Sequence, residues 1–408
     1  MKIIFITIAY PRYSSESNLY SDLMEEFVEN GHEVYVVCSI EKRYGKESFL
    51  TESNGIKVLR VKTDNITYNS NYIAKGIALL KFQTQIIMGI KESFPDVLFD
   101  LVIYSTPPIQ YNRIIRYLKV RSNASTYLLL KDIFPQNALD LGLLSKWNPI
   151  YWYFKRKEKK TYMLSDRIGC MSPANVNYLL KHNSYIKPEK VEVCPNSFKD
   201  RGFIIDGDSA NIRENIRTSL SIEKQDLLLI YGGNLGISQG LTFLIDIIEA
   251  YKNNPVVKIL IVGDGTWYDK ISKFVTTSNY SNVILQQRVS PIEFKKMLIA
   301  ADIGLIFLNP KFTIPNFPSR LTSYLEVGLP VIACTDTATD IGDIIVDAEC
   351  GFKIISGDIN AFKNSVSIFE NDLNLQKRYQ DNARILFAEK YTTKNAYSTI
   401  VDGLVEWV

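Results

Sequence analysis

Short apolar runs rich in β-branched residues recur along this chain, each followed by a turn and then by a stretch of helical spacing. Lys2 to Ala9 alternates β-branched and aromatic residues without a turn breaker and then meets Pro11, which predicts a buried strand. Leu19, Leu23, Phe27 and Val28 have helical spacing, and Asn30-Gly31 supplies a stop before a second strand over Glu33 to Cys38. The same alternation returns later. A strand over Leu227 to Tyr231 leads through a glycine-rich turn, Gly232 to Gly240, into a helix over Leu241 to Tyr251, and Lys258 to Val262 is the next strand. Ser290-Pro291-Ile292-Glu293 has the serine cap, first-turn proline and third-position glutamate of a capping box. A helix is therefore predicted to run from there to Ala301, before a strand over Ile303 to Phe307. Ser319 to Val327 reads as a helix stopped by Gly328, and Val331 to Ala333 as a further strand. Strands joined by helix-length crossovers pair in parallel, so the pattern predicts an α/β fold with a parallel sheet in each half.

The 408 residues are too many for one ordinary core, and two domains of similar size are expected. Asp200 to Asn215 is polar, contains glycine and holds few apolar residues, as a linker requires, and the boundary is drawn near Arg201. An apolar share of 46% with 22% charged residues excludes the disordered and collagen-like classes. The longest uncharged run, Leu227 to Ile245, is interrupted by Gly232, Gly233, Asn234, Gly236, Ser238, Gln239 and Gly240, so a strand, turn and helix explain it better than a membrane span. Met1-Lys2 leads straight into an apolar strand with no basic start or cleavage site, so a cytoplasmic location is expected.

The five cysteines are scattered without metal-ligand spacing, and the only histidines are His32 and His182, which disfavours zinc chemistry and histidine-based triads. The net charge of +3 conceals an asymmetry: residues 1 to 198 hold 26 Lys and Arg against 19 Asp and Glu, the remainder 21 against 25. The first half therefore faces the more anionic partner, and its basic residues gather at Lys155, Arg156, Lys157, Lys159 and Lys160. This run circles its predicted helix. It follows the aromatic stretch Trp147 to Phe154, and aromatics beside a basic block suit an anionic membrane surface; a packed aromatic helix start with a solvated end would use the same residues.

A glycine-rich segment between a strand and a helix leaves backbone N–H groups free to hold phosphate, and Gly232-Gly233-Asn234-Leu235-Gly236 has that setting. A tight turn for helix packing is the competing account. The spacing is not that of a dinucleotide fingerprint, no glycine follows the first strand, and no Walker lysine follows, so NAD binding is disfavoured.

Three runs together make the pattern specific. Ile230-Tyr231-Gly232-Gly233-Asn234-Leu235-Gly236, then Ile261-Val262-Gly263-Asp264-Gly265, then Phe317-Pro318-Ser319-Arg320 through Gly328-Leu329-Pro330-Val331-Ile332 resemble the donor half of family 4 glycosyltransferases. Lys131-Asp132-Ile133-Phe134-Pro135-Gln136 is similar to the D-[LI]-[WF]-P segment of the subgroup that includes N-acetylfucosamine transferases of bacterial capsule and O-antigen synthesis. The resemblance implies a GT-B fold, two Rossmann-like domains with parallel sheets facing across a cleft. Residues 1–200 would bind the acceptor, completed by a C-terminal helix over 390–408, and residues 201–389 the nucleotide-sugar donor. It implies a retaining transfer of a sugar, such as an N-acetylated or 6-deoxy hexosamine, from a UDP-linked donor to a lipid-linked saccharide. The enzyme would work at the inner face of the cell membrane, with no metal or other cofactor and no nucleic-acid partner.

The resemblance also marks departures. The family's glutamate pair, E-x7-E, falls on Asn316 and Ser323, and Glu326, three residues beyond Ser323, would share its helix face and can take over the ribose contact; a solvated helix residue is the competing account. Where relatives carry Arg and Lys for the diphosphate, this chain has Asn234 and Gln239, which leaves Arg320 and Arg288 as candidate phosphate ligands because a guanidinium suits phosphate bidentately. The expected donor-binding residues are thus Gly233, Asn234, Gly236, Gly263, Gly265, Arg288, Asn316, Ser319, Ser323 and Glu326, with Arg320 catalytic. Lys131, Asp132 and Gln136 are expected at the acceptor, where Asp132 grips or helps deprotonate a hydroxyl; a helix cap is its competing role. Asp206-Gly207-Asp208 falls in the linker and reads as a flexible turn rather than a metal site. A nucleotide-sugar epimerase of the same fold and an inactive scaffold subunit, suggested by the lost glutamates, remain as alternatives.

Overall fold

A computed structural model describes residues 1–12, 16–66, 72–202, 209–278 and 280–405. The Asp206-Gly207-Asp208 run lies outside the described residues. The chain divides into two compact units, Met1–Lys199 with Thr393–Val408, and Asp200–Thr392.

The first unit holds strands β1 (Lys2–Ile6), β2 (Glu33–Glu41), β3 (Phe49–Ser53), β4 (Ile56–Thr63), β5 (Leu101–Thr106), β6 (Ser125–Leu130), β7 (Arg167–Cys170) and β8 (Val191–Val193). They form one sheet in the order β3-β4-β2-β1-β5-β6-β7-β8, parallel except for the β3–β4 hairpin. Ile4 and Ile6 of β1 face a core with Phe82, Ile86 and Ile90 of the helix Tyr72–Ser93, while Ile3 and Phe5 face Phe27 and Ile400. Covering both faces explains why β1 reads as unbroken apolar sequence. Each of its four core side chains is fully buried, worth about 1.5–3 kcal/mol relative to exposure. The helix Leu19–Glu29 starts where Asn18 accepts from the N–H groups of Tyr20 and Ser21 while Ser21 Oγ accepts from Asn18 N. The last helix, Thr393–Val405, packs on it through Tyr397 against Phe27, at 5.0 Å between ring centroids, and through Thr393 Oγ1, which donates to Glu26 at 2.7 Å.

The second unit holds β9 (Leu227–Asn234), β10 (Val257–Asp264), β11 (Val283–Gln286), β12 (Ile303–Phe307), β13 (Val331–Thr335) and β14 (Gly351–Ile355). These are all parallel, in the order β11-β10-β9-β12-β13-β14. The order reverses between β9 and β12, the place where an open α/β sheet leaves a crevice outside its strand ends. Two details differ from the sequence reading. Strand β9 continues through Gly232 and Gly233 to Asn234, so those glycines end a strand and the turn begins at Leu235. Ser290 does cap the helix Pro291–Ala300, but Glu293 pairs with Lys296 instead of closing the box.

Candidate functional site

At the carboxyl ends of β9 and β10, Gly232, Gly233 and Asn234 lie opposite Val262, Gly263 and Asp264. A cavity of about 610 Å³ opens there, lined also by Gln239, Arg288, Pro291, Phe294, Ser319, Arg320 and Ser323. Gly233 has φ +121°, a backbone conformation that favours glycine, and a Cβ there would lie in ordinary contact, 3.5 Å, with Nη2 of Arg320. Gly265, φ +145°, lets its loop cross Leu235, whose carbonyl a Cβ would approach to 2.6 Å. Phe294 packs over Gly232.

Arg320 begins the helix Arg320–Glu326. Its guanidinium carbon lies 4.4 Å from the centroid of the Tyr231 ring, and Nη2 donates to Gln239 Oε1 at 2.6 Å. Nη1 is shielded from solvent and has no hydrogen-bond partner among the described residues. Tyr231 is itself fixed by donating to Asn234 O at 2.8 Å. Burial raises its phenol pKa and the Arg320 charge opposes that shift. The cation is thus held at the strand ends with hydrogen-bonding capacity left over, which is what a preorganised anion site needs.

Of the residues singled out from sequence, Gly233, Asn234, Gly263, Arg288, Ser319, Arg320 and Ser323 line this cavity. Gly236 and Gly265 shape the crossing loops beside it. Asn316 and Glu326 are not among its lining residues. The Asn316 carbonyl accepts from Thr339 Oγ1 at 2.8 Å, and the buried Glu326 carboxylate pairs with Lys295 at 2.5 Å, tying two helices together. Tyr231 and Phe294 were not singled out as site residues; an aromatic in an apolar strand and one in an amphipathic helix carry no signal apart from packing.

In the first unit, Asp132 follows β6 and is half-buried, with Asn137 Nδ2 donating to its Oδ2 at 2.6 Å. Burial pushes its carboxyl up to about 6, against the pull of hydrogen bonds from Ile133 N and Asn137. Lys131 points elsewhere: Nζ donates to Cys194 O at 3.3 Å, and burial lowers its pKa. Gln136 donates to Asp140 at 2.7 Å and accepts from Tyr151 OH. A cavity of about 800 Å³ also borders Tyr10, Arg12, Glu41 and Tyr44 beyond β1 and β2, none of them marked by the sequence motifs.

The basic run lies on the helix Pro149–Leu164. Lys155 turns to the buried Glu158 at 2.5 Å, so the run does not present charge all round; Arg156, Lys159 and Lys160 are exposed. Trp147 is 94% exposed and Trp152 57%, with Ile150 and Tyr153 also open to solvent. Among the described residues no helix is long and apolar enough to cross a membrane. None of their His, Cys, Asp and Glu side chains gather in threes as a metal site would require. The five cysteines are buried and unpaired.

Comparison with known proteins matches residues 212–386 to the family described as glycosyl transferases group 1. The probable glycosyltransferase WbjE of Pseudomonas aeruginosa is 24% identical over 62% of this chain and 62% of its own length. The putative colanic acid biosynthesis glycosyl transferase WcaI of Escherichia coli (strain K12) is 22% identical over 84% of this chain and 86% of its own. The crystal structure of Anabaena Alr3699/HepE in complex with UDP and glucose superposes over all of both chains with a TM-score of 0.70 at 14% identity. Residues 212–386 therefore match a group 1 glycosyltransferase domain, the chain with its two parallel-sheet units has the GT-B fold, and both curated relatives it matches are named as glycosyltransferases.

Proposed function

We propose that the enzyme transfers a hexosyl group, with retention of configuration, from a UDP-linked donor to a lipid-linked saccharide in the synthesis of a bacterial surface polysaccharide such as capsule or O-antigen. The observation that carries this reading is the held but incompletely bonded Arg320 beside the open strand ends of Gly233 and Asn234, in a cavity large enough for a nucleotide sugar. UDP in the Anabaena structure supports the choice of nucleotide, and the colanic acid role named for the E. coli relative supports the choice of product.

The chemistry follows from the cations. The acceptor hydroxyl oxygen bonds to the anomeric carbon as the bond from that carbon to the diphosphate oxygen breaks on the same face, and the hydroxyl proton passes to the departing phosphate. Arg320 and the exposed Arg288 stabilise the charge that develops on the diphosphate. Asp132, at the end of β6, orients the acceptor hydroxyl. Trp147 and Trp152 with Arg156, Lys159 and Lys160 form the surface that meets anionic lipid, aromatic rings at the headgroup level and cations toward phosphate.

Calorimetry with UDP and uridine tests the donor assignment. Arg320→Ala should weaken UDP binding by about 1.5–3 kcal/mol, the range for a hydrogen bond to a charged group, and leave uridine nearly unchanged. Arg320→Lys should recover only part, since an ammonium cannot bond bidentately. Equal losses for the two ligands would make Arg320 a support of the fold and overturn the assignment.

A further inference from the structure

We propose that Gln239 is a positioning residue, one that replaces a second cation in the donor cavity by fixing the orientation of Arg320. The inference rests on reading that cavity as a nucleoside diphosphate site. Arg320 Nη2 donates to Gln239 Oε1 at 2.6 Å, and Gln239 Nε2 donates to Ser238 Oγ at 3.1 Å. Both bonds are made only with the amide turned this way, because a flip would set its NH₂ against the guanidinium. The short turn Ile237–Gln239 is in turn pinned from outside: Asn309 N donates to Ser238 O at 3.0 Å, and Asn309 Nδ2 to Ile237 O at 2.9 Å. Gln239 itself is buried. Between this amide and the Tyr231 ring, the guanidinium is oriented before any ligand arrives, and Nη1 has no hydrogen-bond partner among the described residues.

The residue type matters. A neutral acceptor fixes the cation without cancelling its charge. A glutamate would hold Arg320 equally well and neutralise it, whereas a lysine would bring a like charge against the guanidinium and displace it. The gain for a ligand is that Arg320 loses little further freedom on binding.

The test is a double-mutant cycle read by calorimetry with UDP and with uridine. Gln239→Met, of similar length but without the acceptor, should weaken UDP by about tenfold, the scale of a hydrogen bond to a charged group, and leave uridine unchanged. Gln239→Glu should also weaken UDP and spare uridine, because the bond survives while the net charge is lost. In an Arg320→Ala background Gln239→Met should have no further effect, since the residue acts through the arginine. A Gln239→Met loss that persists without Arg320, or that falls equally on uridine, would overturn the role while leaving the diphosphate reading intact. UDP affinity unchanged by Arg320→Ala alone would instead remove the diphosphate reading on which the inference rests.

Discussion

Replacing Asp132 by asparagine removes a carboxylate that folding disfavours. Its folded value of about 6 lies above the ordinary 3.8, so folding favours the protonated form. That contribution is complete below the unfolded value and is lost as pH rises through the folded one. Two pH units correspond to about 3 kcal/mol, and solvent screening at this half-buried position reduces the figure to about 1–2 kcal/mol. Asparagine keeps an oxygen for Asn137 Nδ2 and does not ionise. The melting temperature of Asp132→Asn relative to the parent should therefore rise by about 2–8 °C between pH 4 and pH 8, taking about 2–4 °C per kcal/mol for a unit of this size. Thermal unfolding across that range measures it, and only the change with pH counts, not any constant offset. Parallel curves for the two proteins would refute the reasoning. Turnover should be lost in the same variant while UDP affinity stays within about twofold, because the proposed role of Asp132 is toward the acceptor and a difference of that size is under half a kcal/mol. An equal loss of UDP binding would reject that assignment.

Transfer should proceed in excess EDTA, because arginine can neutralise the leaving diphosphate; complete loss that magnesium restores would contradict this. Changing Arg156, Lys159 and Lys160 to serine should release the protein from anionic vesicles, at about 1 kcal/mol for each cation near such a surface, and slow transfer to lipid-linked acceptors. Trp147→Ser with Trp152→Ser should weaken vesicle binding while leaving turnover on a soluble acceptor unchanged. Vesicle binding that none of these changes affects would end the membrane reading.

The repeated strand and helix signals made the α/β class and the parallel sheets legible, because each depends on residues a few positions apart. Strand β12 falls on Ile303–Phe307 as the apolar run indicates, and the helix stop at Asn30-Gly31 follows from local backbone preference. The Pro318-Ser319-Arg320 run likewise pointed to a cation at the strand ends, and Arg320 does line the cavity there.

What tertiary structure alone decided is where the polar side chains spend their hydrogen bonds. Gln239 read as a missing charge in sequence, yet 81 positions separate it from the arginine it orients. Glu326 was a candidate for the ribose, and only the packing of its helix against the one bearing Lys295 turned it to an ion pair. Lys155 counted among the exposed cations until Glu158 was seen buried beneath it. Lys131 and Asp132 are neighbours in the chain, yet one is directed to Cys194 and the other to Asn137. Local propensity is written in adjacent residues and can be read from them. The partner of a buried charge is set by which elements the sheet order brings together, and one-dimensional spacing does not contain that order.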